Sequence, residues 1–304
     1  FEALDFGTDE QPWEEGRKVL LKYYGDKDVF MRATTILQNV SLPDDLFAGI
    51  RFFETAIESQ SENNCIAIEC PSLTLKTIVS SMEKKMYRQD QEHLDRYLRK
   101  IRKVCRMIGD SLNYLHRQGV VHGQLVLDSC GKFDDGWKLT DLVGVQRSGK
   151  AIPISRLSSS APPESVSFSG PKGQTRPSQH ETITASSAID IWAFGKLMYE
   201  VLVGKDLIPF DPSDELDGHQ RYLFMLGRWS KSNLKDVVTE VEASSIGTLA
   251  ADLISHCLCP RPDLRPKTMD EILSHPYWDT SSSKRIKMTS SKKHSTARKR
   301  RFRV

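Results

Sequence analysis

The chain has 304 residues, 38% of them apolar and 27% charged, enough to build one large core or two lobes that share one. No apolar run approaches the ~20 residues that a membrane-spanning helix needs, which argues against such a span. The formal net charge of +3 hides an asymmetry: residues 281–304 hold ten Lys or Arg and no Asp or Glu, and without them 33 basic residues face 40 acidic ones, a net of −7. A mildly acidic body and a strongly basic tail are therefore expected to behave separately.

The chain opens Phe1-Glu2-Ala3 rather than with Met, as a fragment or a processed form would, and no signal peptide is legible. Six cysteines (Cys65, Cys70, Cys105, Cys130, Cys257 and Cys259) lack the paired spacing of a zinc site. Most lie inside apolar runs, so buried thiols in a reducing compartment are expected.

In chain order, Arg17 to Tyr24 contains Val19-Leu20-Leu21-Lys22, an apolar run that ends in a lysine and reads as a strand. From Asp28 to Val40, the residues Val29, Phe30, Thr34, Leu37 and Val40 recur at helical spacing, with Asp28 as a cap. Phe47 to Ile57 and Cys65 to Cys70 read as two strands around a polar turn, Glu58 to Asn64. One helix is predicted around Leu73 to Met86. A longer one is predicted from about Glu92 to Gln118, with Leu94, Leu98, Ile101, Val104, Cys105, Ile108, Leu112 and Leu115 on one face.

Short strands follow, with Asp134-Asp135-Gly136 as the turn of a hairpin. Residues 145–188 are rich in Ser, Pro and Gly and read as loop. Ala188 to Gly204 is apolar on nearly every side, the pattern of a helix buried in a large core. Further helices are predicted near 218–228, 246–258 and 267–274. After Trp278 the composition turns to Ser, Thr, Lys and Arg and reads as disordered. A few short strands with one helix, then a mainly helical half, make an α+β arrangement in two lobes.

Several short stretches also fall in a telling order: Val19-Leu20-Leu21-Lys22, Cys65 to Pro71, His122-Gly123-Gln124-Leu125, Asp141-Leu142-Val143-Gly144, Ala161-Pro162-Pro163-Glu164, Asp190 to Gly195, and Arg265-Pro266 through His275-Pro276-Tyr277-Trp278. Together they resemble the eukaryotic protein kinase family over roughly residues 1–278. The resemblance implies a bilobal fold. A small, mainly β N-lobe with one helix would cover about 1–70 and a larger helical C-lobe about 72–278. An inserted loop would lie at about 165–187 and a disordered basic tail at 279–304.

It also implies roles. Lys22 would be the phosphate-binding lysine, Ile68 would guard the back of the nucleotide pocket, and Glu69 would belong to the hinge. His122, Leu142, Leu37 and Phe52 would form the apolar stack between lobes. Asp190 would bond the backbone near His122, and Glu164 would pair with Arg265.

Phosphoryl transfer needs a cradle for the triphosphate, metal ligands, and a group that orients the nucleophile. The resemblance places Glu2 and Leu4 where the family's loop carries glycines, ending at Phe6-Gly7. It places Ala33 at the glutamate that usually pairs with the lysine, and Pro71, which has no N–H, at a hinge position. A surface lysine at a strand end is the competing reading of Lys22. Asp141 would be the Mg²⁺ ligand, against a hairpin-end residue bonding nearby amides as the competing reading. Ser129 falls at the second ligand position and is a poorer ligand than the usual asparagine. Gln124 occupies the position of the aspartate base and cannot accept a proton at physiological pH. Val126 replaces the lysine that contacts the transferred phosphate. Gly123 replaces the arginine that reads a phosphate on the activation segment.

Scaffolding residues are kept and catalytic ones lost. The expectation is a pseudokinase acting as a scaffold or allosteric binding module, with ATP and Mg²⁺ bound weakly or not at all. The alternative is a weak, atypical ATP-dependent serine/threonine kinase, with Asp128 as the substitute carboxylate. Partners would be proteins that touch the kinase-like surface. The segment between Glu164 and Asp190, rich in Ser and Thr, reads as a surface insertion or a docking and phosphorylation segment. The two basic clusters of the tail, Lys284 to Lys287 and Arg298 to Arg301, suit nuclear import machinery. Without an aromatic ladder, nucleic acid is not the expected partner. Nuclear or cytoplasmic residence follows.

Overall fold

The computed structural model describes residues 2–8, 11–24, 27–48, 50–55, 63–83, 91–142, 144–154, 158–169, 176–209, 218–244 and 246–279. They form a small strand-rich lobe and a larger helical one, a mixed α+β, kinase-like bilobal arrangement. The expected disordered tail beyond 279 lies outside the described residues, as do residues 58–62 of the expected turn Glu58–Asn64, whose Asn63 and Asn64 instead begin a strand.

The small lobe is an antiparallel sheet in the order β1-β2-β4-β3, made of β1 (Glu2–Thr8), β2 (Gln11–Tyr24), β3 (Ile50–Thr55) and β4 (Asn63–Glu69). Strand β1 pairs with β2 from Glu2↔Leu20 to Thr8↔Gln11, with an irregularity between Asp5 and Gly7. This corrects one expectation. Glu2 to Gly7 lies within a strand and not at the end of a glycine-rich loop: Glu2 to Asp5 pair with Leu20 to Arg17, and Gly7 pairs with Pro12. Helix α1 (Lys27–Gln38) buries Val29, Phe30, Ala33, Thr34, Ile36 and Leu37. Phe30 packs with Ile66, Ile68 and Leu20 into a small apolar cluster, so one helix face seals the sheet.

The predicted strand from Phe47 begins later, at Ile50. Phe47 instead bridges to Leu139 of the other lobe. Ala48 N–H donates to the Leu139 carbonyl at 3.0 Å, and Leu139 N–H donates to the Leu46 carbonyl at 3.2 Å. The Ser111 hydroxyl donates to that same Leu46 carbonyl at 3.0 Å, and the Tyr114 hydroxyl bonds to Ser41. The segment after α1 thus ties the small lobe to the large one through backbone as well as packing.

The large lobe starts with β5 (Leu73–Thr74) and α2 (Leu75–Glu83), then α3 (Gln91–Arg117). Of the predicted stripe, helix α3 buries Ile101, Val104, Cys105, Ile108, Leu112 and Leu115, while Leu94 and Leu98 are only partly buried. Next come β6 (Val120–Val121), β7 (Cys130–Lys132) and β8 (Trp137–Leu139), the last two joined through Asp134-Asp135-Gly136 as predicted. Helix α4 (Ser187–Val203) is buried almost along its whole length, with Ile191, Trp192 and Phe194 at 0% exposure. A Cβ on Gly195 would sit 2.5 Å from Cys257 Cβ, so this glycine permits the close approach of the later helix α7. Of the later helices α5 (Gly218–Gly227), α6 (Lys231–Ala243), α7 (Thr248–Cys257) and α8 (Met269–Leu273), α7 packs directly on α4, α6 on α7 and α8 on α3.

Helix α6 was not anticipated. Its signals were there: a reciprocal cap between Ser230 and Asn233, then Leu234, Val237, Val238 and Val241 at helical spacing. Residues 145–188 are also not simply loop. They hold β9 (Gln146–Arg147), β10 (Ala151–Pro153), β11 (Val166–Ser169), β12 (Arg176–Gln179) and β13 (Thr182–Thr184). β9 pairs with β6, β11 with β12, and β10 with β13. The β9–β6 and β10–β13 pairings join short runs well separated in the chain, which local composition does not report, whereas β11 and β12 are close neighbours.

Candidate functional site

The site lies where β2 of the small lobe faces the residues after β8. Lys22 Nζ sits 2.8 Å from Asp141 Oδ2, and each side chain is about a quarter exposed. Ala33, at the position expected to carry the lysine's glutamate partner, is 0% exposed within the core. Its methyl group adds packing and no charge. The lysine therefore draws its anion from Asp141, the residue expected to hold Mg²⁺.

The loop from His122 to Gln124 is set by Asp190 at the start of α4. His122 N–H and Gly123 N–H donate to the two carboxylate oxygens of Asp190 at 2.7 and 2.8 Å, and His116 Nε2 lies 2.8 Å from Oδ2. Burial would push the Asp190 carboxyl up, but the hydrogen bond and charge of His116, the charge of His122 and the Gly123 N–H outweigh it and hold it below the usual carboxylate range. His122 is 0% exposed, and burial lowers its affinity for a proton despite the attraction of Asp190 and Asp141. Its Nδ1 accepts the Gln124 N–H at 3.3 Å.

Gly123 has φ +73°, and a Cβ there would meet the Ile152 side chain at 2.6 Å and the Gly144 carbonyl at 2.8 Å. A Cβ on Gly144 would in turn meet Gln124 Cβ at 2.7 Å. The two predicted motifs are thus packed against each other, with Gln124, at the position expected to carry the base, half-buried. Val143 lies outside the described residues.

Ser129 is placed differently from its expected role at the metal. Its hydroxyl donates to the Val126 carbonyl at 2.7 Å and accepts the Val126 N–H at 2.9 Å, closing its own turn at 1% exposure. Its hydroxyl is thus engaged as donor and acceptor within its own turn. Asp128, the substitute carboxylate, is exposed and faces α2, with Lys76 Nζ at 3.0 Å. Glu69 is half exposed, with Lys138 Nζ 3.9 Å away; the same ammonium, nearly buried, also binds Asp135 at 2.8 Å. Ile68 is buried at 2%. Pro71 and Thr140 fill the space over Gly131, where a Cβ would meet each at 2.6 Å. Leu37 and Leu142 share one core with the helical lobe, and His122 is buried beside Asp190. Phe52 lies in β3, but its side chain is outside the described residues.

The scaffolding pair is intact. Arg265, with its side chain at 0% exposure, forms a two-pronged bond with Glu164 at 2.8 and 2.7 Å. Its remaining donors reach the carbonyls of Cys259 and Ala188, and its guanidinium lies over Trp192.

Sequence reasoning missed the latch on the segment after Asp141. Strand β10 pairs with β13 through Ile152↔Ile183, flanked by Ile154 N–H to Glu181 and Ala185 N–H to Lys150. Ile152 and Ile154 are each 1% exposed. The alternation of Ile152 and Ile154 was the one available signal.

No family model matches the chain. Among curated proteins, it is 28% identical over 206 residues to the serine/threonine-protein kinase ppk16 of Schizosaccharomyces pombe, covering 65% of this chain and 27% of that protein. It is 26% identical over 269 residues to the probable serine/threonine-protein kinase fhkE of Dictyostelium discoideum, covering 86% and 33%. An Aurora kinase of Debaryomyces hansenii is 29% identical over 175 residues, covering 55% and 35%. The chain thus spans about a third, or less, of the length of these relatives. The bilobal fold, the order of the motifs and these relatives together relate the chain to the protein kinase superfamily.

Proposed function

We propose that this chain is a pseudokinase, a kinase-like module that works by binding other proteins and transfers phosphate weakly or not at all. One observation carries the reading. Gln124 stands at the base position, and the only carboxylate offered as its substitute, Asp128, points to Lys76. Proton acceptance by a positioned base is worth roughly 10²–10⁴-fold in rate, and an amide cannot supply it. The engagement of the Ser129 hydroxyl in its own turn supports the same reading.

Residual nucleotide binding is compatible with the same site. Lys22 and Asp141 stand together as a cation for phosphate and an anion for Mg²⁺, the two groups to which ATP and Mg²⁺ would bind. This pair favours the second reading, a weak serine/threonine kinase. Protein partners of the kinase-like surface, and nuclear or cytoplasmic residence directed by the basic tail, belong to the proposal.

Thermal denaturation with and without ATP and Mg²⁺ tests it. A ligand at a hundred times its dissociation constant adds ~2.7 kcal/mol of stability. A shift that requires Mg²⁺ and disappears in Asp141→Ala marks a nucleotide site. Labelled-phosphate transfer to a protein substrate, lost in Lys22→Ala and Asp141→Ala alike, would replace the pseudokinase reading with the kinase one.

A further inference from the structure

Asp252 and His256 lie four residues apart on α7, so both side chains leave the same face of the helix. His275, just after α8, is brought to them by the fold. Its Nε2 is 2.9 Å from Asp252 Oδ2, and His256 Nε2 is 3.9 Å from Asp252 Oδ1. One ligand atom from each of the three residues falls within 4.8 Å of the others. None of these residues belongs to the Lys22–Asp141 site.

From this cluster we propose a divalent transition-metal site on the large lobe, held by Asp252, His256 and His275. Two imidazoles and one carboxylate suit Zn²⁺, Co²⁺ or Ni²⁺ and not Mg²⁺ or Ca²⁺, which prefer all-oxygen shells. A tetrahedral ion with bonds of ~2.0–2.1 Å keeps its ligands about 3.3 Å apart. The 2.9 and 3.9 Å separations bracket that value. The remaining adjustment falls to His256, whose side chain is 54% exposed and can turn, while His275, at 10%, is the fixed anchor. Three protein ligands leave at least one coordination position for water or a ligand from outside.

The site has one chemical requirement. His275 Nδ1 now accepts the Tyr277 N–H at 3.1 Å, which puts the neutral ring's proton on Nε2, facing Asp252. Metal on Nε2 moves that proton to Nδ1, so the Tyr277 N–H bond must open. Metal binding and the capping of the last turn, Pro276–Trp278, therefore compete.

The test titrates the full chain with Zn²⁺, and with Co²⁺ as the spectroscopic probe, alongside His256→Ala and Asp252→Asn. His275→Ala is avoided because it removes a cap as well. One equivalent of Co²⁺ should bind saturably in the micromolar range, with the visible bands of low-coordinate nitrogen and oxygen ligation. Partners outside a metal's immediate shell are already worth about 10–100-fold in affinity, so losing His256 should weaken binding at least tenfold. The His275 ring should change tautomer in ¹⁵N spectra when Zn²⁺ is added. Three outcomes overturn the site: no saturable binding, bands of thiolate ligation that assign the ion to cysteines, or undiminished affinity in His256→Ala. Asp252 and His275 are then only a hydrogen-bonded tie between helices.

Discussion

Lys22 and Asp141 form an ion pair of 2.8 Å between the two lobes. One partner comes from the central sheet of the small lobe, the other from the chain just after β8. Ala33 offers no carboxylate at the position expected to pair with the lysine, and Lys22 is paired with Asp141.

Each partner is about a quarter exposed, so the pair should contribute modestly, about 0.5–1 kcal/mol. Lys22→Met and Asp141→Asn should each destabilise the fold by about that amount. A double-mutant cycle in urea should return a coupling of the same size. No coupling would mean that the pair does not hold the lobes together.

Arg265 is a different case, buried and fully bonded. Arg265→Lys keeps the charge but loses the planar fork to Glu164. A loss of about 3 kcal/mol is expected, near the low end for broken buried pairs because Glu164 keeps 26% exposure. Calorimetry should show a melting temperature roughly 5–10 °C lower.

The pH dependence follows from His122 and Asp190. Below the usual histidine value of 6.5, the unfolded chain binds a proton that buried His122 refuses, so stability should fall as pH drops through that range. Asp190 is held below its usual 3.8, so its contribution is present above 3.8 and disappears as pH falls further toward its folded value. Melting temperature measured from pH 7.5 to 5 should decline, and His122→Phe should flatten that slope. An unchanged slope would place the dependence on other histidines.

Ile152 closes the latch between β10 and β13 and fills the space beside Gly123. Ile152→Ala should cost about 2–4 kcal/mol. Amide exchange should then rise at Ala151 and Ile152 and in Thr182–Thr184 together, since neither strand has another partner strand among the described residues. Faster exchange in one strand alone would show that they do not act as a unit.

Much of this arrangement was legible in local pattern. The apolar stripe of α3, the uniformly apolar α4 and the Asp134-Asp135-Gly136 turn each carry a period or a turn chemistry that a single stretch can declare. The motif order led to Asp190 under His122 and to Glu164 beside Arg265, and the geometry agrees with both. What failed was the alignment of Glu2 to Gly7 with a glycine-rich loop and the reading of 145–188 as loop.

The sequence by itself determined the bilobal class and the absence of a carboxylate at Gln124, because residue identity and hydrophobic period are local properties. Only the tertiary structure decided where the neighbouring polar groups went. Ser129 turns inward to Val126, Asp128 outward to Lys76, and Asp141 across the cleft to Lys22. It also brought Ile183 to Ile152, and His275 to Asp252 and His256. These meetings join residues distant in the chain, and burying the apolar faces of α4 and its neighbours sets which of them come within reach of one another.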